Sequence, residues 1–485
     1  MTITEPRAEA TSSDEAAIAE LHELLRLQRA AFLRDTYPSV ADRRSRLESL
    51  MGMVMANRDR IHQALREDFA VHPDALSDLA EVLTVVGRAA FTHQHLEEWM
   101  APAPRDTDPN LHGTARAAIT YQPKGVTGNI SPWNFPFDLS LGPLVDMLAA
   151  GNRAILKPSE YTPACSSLVK EMISATFDRD LVAVVTGGLE LAKEFPKLRW
   201  DHLLYTGNTE VGRAIAKSAA ENLTPVTLEL GGKSPVVVLD DSVDAEAVVQ
   251  ILGTKIVKNG QMSISPDYAF VPRDRVQEFV ELPRTHYAEQ LPDYASSDDC
   301  TGIISERHLD RVTGLLEEAR ARGCEIVQLG GDQVDRERRR MPVSLVIDPD
   351  DSLGLMCEEI FGPILPIKPY DSLDEAIGYV NGGERPLGLY VFAGDEDAAQ
   401  RVLDRTVSGG AAVNACAAQG ALPSLGFGGV GYSGTGRHHG IDGFHEFSNP
   451  RGVVYRGQGG MLEAFLPPYG ELAKTLLDGI FGAGQ

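Results

Sequence analysis

Two residues of this chain carry groups that could take part in catalysis: the carboxylate of Glu229 and the hydroxyl of Ser263. Glu229 lies between Leu228 and Leu230 and is followed by two glycines. This apolar setting predicts a buried carboxyl group with a raised pKa, which makes it a candidate general base. A serine hydroxyl becomes a nucleophile only beside a strong base. The histidines His202, His438 and His439 belong to other motifs, so the sequence gives no convincing Ser/His/Asp set.

Three small polar segments, 157–160, 186–188 and 207–212, follow predicted strands. Open parallel sheets bind ligands at the carboxyl ends of their strands. Glycines in such turns let the backbone approach a phosphate, and the following helix N-terminus favours negative charge. The G-x-G-x-x-G fingerprint of dinucleotide sites is absent, however, and tight turns are a competing explanation for the glycines.

Five segments of the chain resemble the aldehyde dehydrogenase superfamily, and the resemblance extends over about residues 15–470. The matching segments are Ser131–Pro136, Leu228–Lys233, Asn259–Ser263, Glu358–Pro363 and Gly426–Gly434. The resemblance implies oxidation of a small-molecule aldehyde to the carboxylic acid, with NAD as the cofactor and NADP as a possible substitute. In that reaction a thiolate adds to the carbonyl, hydride passes to nicotinamide, and a general base helps water to hydrolyse the thioester.

The same resemblance assigns roles to individual positions. It implies that Ser263, Glu229 and Asn134 are the catalytic residues: the nucleophile position, the general base and the oxyanion donor. The backbone N–H of residue 263 would assist Asn134, and one such donor is typically worth about 10²–10³ in rate. The implied cofactor-binding residues are Trp133, Lys157, Glu160, Gly187, Thr206, Gly207, Asn208, Val211, Glu359 and Phe361. No metal site is expected.

The nucleophile position carries the main departure from the family, because Ser263 stands where the family has a catalytic cysteine. A cysteine has a reference pKa of about 8.5 and supplies thiolate, whereas a serine hydroxyl does not ionise in this range. The chain is therefore predicted to be an inactivated Cys-to-Ser form, either by replacement of a native cysteine or as a natural serine variant. Two other hypotheses remain: a non-catalytic NAD-binding homologue, and a serine-dependent esterase on the same scaffold.

Three local features are most similar to the class 3 and coniferyl-aldehyde dehydrogenase branch: the short N-terminus, Lys157–Glu160 and Ser265–Tyr268. That branch implies aromatic and medium or long aliphatic aldehydes. A carboxylate at Glu160 would repel a 2′-phosphate, which favours NAD over NADP. A surface ion pair between Lys157 and Glu160 is the competing explanation for those two residues.

Composition limits the partners and the compartment. The 485 residues carry a formal net charge of −24, which argues against nucleic acid and anionic membranes as partners. Five scattered cysteines without metal spacing fit reduced thiols in a cytosol. The N-terminal residues are polar and acidic, without the apolar stretch of a signal peptide. We therefore expect a cytoplasmic protein.

The pattern along the chain predicts an α/β protein with a Rossmann-like NAD-binding domain, an α/β catalytic domain and a small β oligomerisation element. Short apolar strands, the first at 126–130, alternate with amphipathic helices, one of them over 245–258, from residue 125 onward. This alternation indicates parallel sheets covered on both faces. The predicted ranges are 1–104 and 123–225 for the NAD-binding domain, 226–440 for the catalytic domain, and 105–122 with 441–485 for the oligomerisation (bridging) segment and tail. The stretch 115–121 is predicted to be a strand that would leave an unpaired edge in a monomer and therefore joins a homodimer interface.

Overall fold

The structure, a computed structural model, describes residues 9–482. Its strands are β1 Ala103–Arg105, β2 Arg116–Pro123, β3 Val126–Ile130, β4 Arg153–Lys157, β5 Val182–Val184, β6 His202–Thr206, β7 Val226–Glu229, β8 Pro235–Val238, β9 Tyr268–Pro272, β10 Glu325–Gln328, β11 Ser344–Ile347, β12 Ile364–Tyr370, β13 Gly388–Phe392, β14 Gly410–Val413, β15 Gly434–Thr435 and β16 Ser448–Tyr455. These strands form three sheets.

Helices cover both parallel sheets. They are α1 Glu9–Arg34, α2 Val40–Ala56, α3 Arg58–Phe69, α4 Asp74–Ser77, α5 Leu83–Met100, α6 Pro109–His112, α7 Asp138–Ala149, α8 Pro163–Thr176, α9 Leu189–Glu194, α10 Thr209–Ala220, α11 Ala245–Ile256, α12 Val276–Gln290, α13 Glu306–Ala321, α14 Gly354–Cys357, α15 Leu373–Gly382, α16 Glu396–Asp404, α17 Ala418–Ala421, α18 Gly440–Glu446 and α19 Glu471–Phe481. A single π-helical turn, Asp78–Val82, precedes α5. The predicted α/β class is confirmed.

The first parallel sheet has the strand order β15-β7-β6-β3-β4-β5. Its strands β3 and β4 are wholly buried, as a sheet with helices on both faces requires. Because β3, β4, β6 and β7 run parallel, the residues after their carboxyl ends meet at one edge. This edge receives the loop that contains Asn134, the Lys157 segment, the Gly207 turn and Glu229.

The second sheet has the order β10-β11-β12-β9-β8-β13-β14, and only β10 is antiparallel to its neighbour. Ser263 lies in the connection between α11 and β9. The helical pattern predicted a helix over 245–258, but α11 ends at Ile256. Lys258 and Asn259 have φ values of 48° and 54°, and Gly260 follows at 81°. Three consecutive left-handed residues end the helix and turn the chain toward Ser263.

The predicted domain boundary at residue 226 lies just before β7. That strand pairs with β6 and belongs to the first sheet, whereas the second sheet begins with β8 at Pro235. The division into domains stays a prediction. Within residues 9–482, no helix combines the length and apolarity needed to cross a bilayer.

The third sheet is small and antiparallel, in the order β1-β2-β16. The segment predicted at 115–121 is its middle strand, β2, and is paired on both sides. Our expectation that this strand leaves an unpaired edge is therefore wrong: its neighbour β16 is the long outer strand, and most of its residues are exposed.

Candidate active site

One large cavity of about 1720 Å³ opens at the edge where the strands of the first sheet end. Small-molecule sites usually enclose about 300–1,000 Å³, so this cavity has room for a dinucleotide and a second molecule. Ser263, Glu229 and Asn134 all line it, although they come from segments far apart in the chain. The structure thus brings together the three predicted catalytic positions.

The loop that carries Ser263 is fixed by buried hydrogen bonds to neighbouring segments. The Gln261 side chain donates to the carbonyl oxygens of Lys258 and Gly302, at 2.8 and 3.0 Å, and accepts from the N–H of Ile304. On the other side, the Tyr390 hydroxyl donates to the carbonyl oxygen of Ile264 at 2.6 Å. Ser263 itself is half-buried, so its hydroxyl faces the cavity from a rigid support.

A buried ion pair connects this loop to the first helical region. The Lys258 ammonium contacts Glu81 at 2.5 Å, and both side chains are fully buried. Burial raises the pKa of Glu81 and lowers that of Lys258, while each partner's charge opposes the change. The ammonium also lies 4.3 Å from the centre of the Phe135 ring, a cation–π contact that compensates part of its lost hydration.

The same ion pair positions the Asn134 loop. Lys258 donates to the Asn134 carbonyl oxygen at 2.6 Å, and Glu81 accepts from the N–H groups of Phe137 and Asp138 at the start of α7. The Asn134 amide donates one hydrogen bond, of 3.1 Å, to the carbonyl oxygen of Gln261. An amide has two hydrogens, so Asn134 retains one to donate into the cavity next to Ser263.

Glu229 ends β7 as a buried carboxylate. Neither of its oxygens has a hydrogen-bond partner in the range 9–482. Burial raises the pKa of Glu229 well above its usual range, and Glu446 adds to this while Arg437 opposes it. A carboxylate with a raised pKa at a cavity wall is suited to accept a proton near neutral pH.

Glu359 lies against a glycine that leaves room for it. A Cβ at Gly231 would lie 2.0 Å from the Glu359 carboxylate, so any larger residue there would displace that carboxylate. The Glu359 oxygen Oε1 is buried and has no partner among the described residues. Burial, with the Asp267 charge, raises the pKa of Glu359 to about 8. A hydroxyl-rich ligand would satisfy this carboxyl group.

Lys157 and Glu160 form an ion pair in which the lysine is buried and the glutamate is partly exposed. The distance between Nζ and Oε2 is 3.0 Å; the Lys157 side chain is 2% exposed and that of Glu160 is 44% exposed. Both residues line the cavity. The sequence left open that Lys157 and Glu160 form an ordinary ion pair at the surface. The burial of Lys157 in the cavity wall argues against that explanation.

The turn after β6 approaches the cavity closely. A Cβ at Gly207 would lie 2.2 Å from the Tyr205 hydroxyl, which explains the glycine. The Asn208 side chain accepts from the N–H of Val211 and caps α10. The hydroxyl of Thr206 is buried and unpartnered within the described part of the chain. All four predicted residues of this turn line the cavity: Thr206, Gly207, Asn208 and Val211.

Gly187 is the exception among the predicted cofactor residues, because it is not part of the described cavity wall. The turn that it belongs to is occupied by a side chain: the Asp14 carboxylate accepts from the N–H groups of Gly188 and Glu190. The Asp14 carboxylate therefore occupies the N-terminus of α9, where the sequence had suggested a phosphate-binding turn. Leu189 and Ala192, further along α9, contact the cavity instead.

Two aromatic residues, Trp133 and Phe361, contact each other in the wall of the cavity. The rings of Trp133 and Phe361 meet edge to face, with centroids 5.3 Å apart. Phe361 has a φ of 49°, and the adjacent Gly362 touches Gly260 of the Ser263 loop. The Glu359–Phe361 segment is therefore fixed directly against the loop of the candidate nucleophile.

The sequence reasoning missed several residues of the cavity wall: Arg88, His308, Arg311, His438 and His439. His308 contacts Trp133 edge to face, and Arg311 donates to the Glu359 carbonyl oxygen. Helix α13 carries both of them, and an amphipathic helix gives no signal of which polar residues face a cavity. For His438 and His439 the sequence did contain a signal, because two adjacent histidines in a glycine-rich stretch could have been recognised as candidate cavity residues.

Comparison with known proteins agrees with this geometry. The model of the Aldehyde dehydrogenase family matches residues 7–453. The chain belongs to the aldehyde dehydrogenase family. This membership confirms the predicted enzyme class, an oxidoreductase.

The curated relatives point to one branch of the family. A probable coniferyl aldehyde dehydrogenase of Caulobacter vibrioides is 40% identical over 474 residues, covering 96% of this chain and 98% of that protein. The coniferyl aldehyde dehydrogenase of a Pseudomonas strain is 38% identical and covers 90% and 91%. The orangutan aldehyde dehydrogenase family 3 member A2, from Pongo abelii, is 37% identical and covers 88% and 86%.

Solved structures confirm the fold. A substrate-bound Staphylococcus aureus AldH superposes with a TM-score of 0.88 and 32% identity, covering 95% of this chain and 99% of that one. A Mycobacterium tuberculosis aldehyde dehydrogenase complexed with NAD+ gives a TM-score of 0.82 and 26% identity, covering 91% of both chains. The family's architecture therefore extends over nearly the whole chain.

The buried ion pair gives the first prediction. Replacing Lys258→Met leaves the Glu81 carboxylate buried and uncompensated, so the free energy of unfolding should fall by about 3–5 kcal/mol. Lys193→Met breaks an exposed pair with Glu190 and should cost less than about 1 kcal/mol. Chemical denaturation of both variants makes the comparison. Equal effects would contradict a central role of the buried pair.

Proposed function

We propose that this chain binds NAD, less well NADP, together with an aromatic or medium-to-long aliphatic aldehyde, and that its Ser263 form oxidises the aldehyde very slowly. The observation that carries the proposal is the convergence of Ser263, Glu229 and Asn134 on one cavity beside a second set of ligand-binding residues. The names of the relatives, coniferyl aldehyde dehydrogenases, support the aromatic part of the substrate range.

The cofactor end of the cavity fits a nucleotide. Thr206 and Glu359 each have a buried oxygen without a partner in residues 9–482, and both are groups that bind hydroxyls. Gly207 and Gly231 leave room for the Tyr205 hydroxyl and the Glu359 carboxylate, which a Cβ would meet at 2.2 and 2.0 Å. Trp133 and Phe361 offer flat apolar surface for a ring. When bound, nicotinamide supplies the hydride acceptor of the reaction.

The residues around Ser263 have complementary tasks. Asn134, with the N–H of residue 263, stabilises the oxyanion that forms when a nucleophile adds to the aldehyde. Glu229 removes a proton from the water that releases the acid, and its raised pKa suits this task. The missing element is a thiolate, because the Ser263 hydroxyl does not ionise near neutral pH.

A serine hydrolase on this scaffold is the weaker hypothesis. Within the described residues, the hydrogen bonds of the structure include none from the Ser263 hydroxyl to a histidine. Glu229, the carboxylate that shares the cavity wall, is a poor base for an alcohol. Ester cleavage that is lost on Ser263→Ala would favour this hypothesis over slow aldehyde oxidation.

The central prediction is that Ser263→Cys creates or restores aldehyde oxidation at a measurable rate. The thiolate is the single group that the site lacks, so kcat should rise by at least about three decades, equivalent to about 4 kcal/mol of barrier. Substrate affinity should change little, because serine and cysteine are similar in size. Stopped-flow measurement of NADH absorbance with an aromatic and a long-chain aldehyde provides the test.

Two further variants serve as controls for this experiment. Ser263→Ala should remain inactive while binding NAD normally. Glu229→Gln in the cysteine background should give one burst of NADH followed by slow turnover, since only thioester hydrolysis needs the base. If the cysteine variant shows neither burst nor turnover with a broad panel of aldehydes, the chain is a non-catalytic homologue.

The preference for NAD depends on Glu160. Its partly exposed carboxylate at the cavity wall should repel a 2′-phosphate, so NAD should bind about tenfold more tightly than NADP. Glu160→Gln should reduce this ratio several-fold, whereas Glu190→Gln, at the exposed start of α9, should not change it. Calorimetric titration measures both affinities; tighter binding of NADP by the unmodified chain would refute the role of Glu160.

A homodimer is expected because of the outer strand β16. This eight-residue edge is mostly exposed, and an uncovered edge of this length invites pairing with a second chain. Val454 lies on β16 and is 66% exposed, so replacing it with lysine should weaken dimer association at least tenfold. Leu223→Lys, at a 90% exposed position outside the sheet, is the matched control. Sedimentation should give twice the chain mass; a monomer at micromolar concentration would contradict this.

A further inference from the structure

The cavity contains a second polar region that the roles assigned so far leave unused. His438 and His439 line the cavity and are 1% and 2% exposed. None of their four ring nitrogens has a hydrogen-bond partner among the described residues. Their rings are 4.3 Å apart and almost perpendicular. Unpartnered buried polar groups are costly, so a ligand that satisfies them gains binding energy.

An apolar stretch of wall connects the histidine pair to Ile264, the neighbour of Ser263. A Cβ at Gly420 would lie 2.8 Å from Ile264 and 3.4 Å from Phe427, so these two side chains flank that glycine. The Phe427 ring in turn contacts both histidine rings, with centroids 5.5 Å away. From Ser263 the wall therefore runs through Ile264 and Phe427 before it reaches the polar pair.

The surroundings of the pair decide which polar group fits. Burial and the Arg88 charge lower the pKa of both histidines, so each ring is neutral and offers one donor and one acceptor. The Arg88 guanidinium pairs with Asp138 at 2.9 Å through Nη2, while its Nη1 is buried without a hydrogen-bond partner among the described residues. The Asp146 carboxyl group accepts from the backbone N–H of His439, and burial raises the pKa of Asp146 to about 7. Among the described residues around the pair, the Arg88 charge is balanced by that of Asp138, which disfavours an anionic group and suits a neutral hydroxyl.

We propose that His438 and His439 bind a phenolic hydroxyl at the far end of an aromatic aldehyde, whose ring lies against Phe427. The hydroxyl donates to the unprotonated nitrogen of one imidazole and accepts from the N–H of the other. This specificity site rests on the proposed aldehyde oxidation, since it assumes that the aldehyde group faces Ser263. The substrate class that this site favours is narrower than aromatic aldehydes in general: it consists of aldehydes with a hydroxyl on the distal side of an aromatic ring.

The test compares three ligands that differ in one group, in the presence of NAD. Calorimetry on the Ser263 protein measures the binding of 4-hydroxycinnamaldehyde, cinnamaldehyde and 4-carboxycinnamaldehyde, and the corresponding benzaldehydes give a shorter series. The hydroxylated aldehyde should bind about tenfold more tightly than the unsubstituted one in at least one series. The carboxylated aldehyde should bind no better than the unsubstituted one.

Variants test whether the two histidines cause the preference for the hydroxylated aldehyde over the unsubstituted one. His438→Phe and His439→Phe keep an aromatic ring and remove the nitrogens, so together they should reduce the preference to within about twofold. His438→Asn, which retains a donor and an acceptor, should keep part of it. His445→Phe is the matched control, because His445 stacks on Tyr121 outside the cavity. Unchanged NAD affinity shows that each variant is folded.

Three results would overturn the proposal: equal binding of the hydroxylated and unsubstituted aldehydes, a preference that survives the double phenylalanine variant, or tightest binding of the carboxylated aldehyde. These outcomes are independent of catalysis. If Ser263→Cys oxidises no aldehyde although the hydroxyl preference depends on the histidines, the binding site stands and the oxidation proposal fails. If oxidation is observed without the preference, the histidine site alone is wrong.

Discussion

The buried ion pair between Glu81 and Lys258 is the interaction on which the candidate site depends. It joins three parts of the chain that are distant in sequence: the π-helical turn before α5, the Asn134 loop with the start of α7, and the loop that leads to Ser263. A buried pair often contributes little net stability, but removing one partner leaves an isolated charge in an apolar interior. That penalty holds Asn134 and Ser263 in one relative position, which an oxyanion site requires.

A second constraint is the parallel arrangement of the first sheet. Because β3, β4, β6 and β7 run in the same direction, everything that follows their carboxyl ends converges on one edge. Glycines at 207 and 231 let the Tyr205 hydroxyl and the Glu359 carboxylate pack closely at that edge. The cavity wall therefore combines buried carboxylates of raised pKa with flat aromatic surface, which fits both a nucleotide and a carbonyl substrate.

The sequence predicted much of the secondary structure and most of the cavity wall. The strand at 126–130 and the Glu229 carboxylate followed from apolar runs and apolar neighbours, which are local properties. The helix predicted to reach Lys258 ended earlier, because tertiary contacts of Lys258 and Gly260 hold three residues in left-handed conformation. Gly187 was predicted as a cofactor residue, but the Asp14 carboxylate, 173 residues earlier, caps that turn. No pattern near Gly187 contains this information.

The sequence by itself determined the family, the α/β class and the serine at position 263, because these follow from residue types and their order. Only the tertiary structure decided which polar groups are left without partners. Whether Glu229, His438 and His439 find a hydrogen-bond partner depends on the packing of segments that are far apart in the chain. The same holds for β2, which lies in the middle of its sheet because β16, more than 300 residues later, covers its other side. Burial and pairing are properties of the packed chain, and local sequence does not encode them.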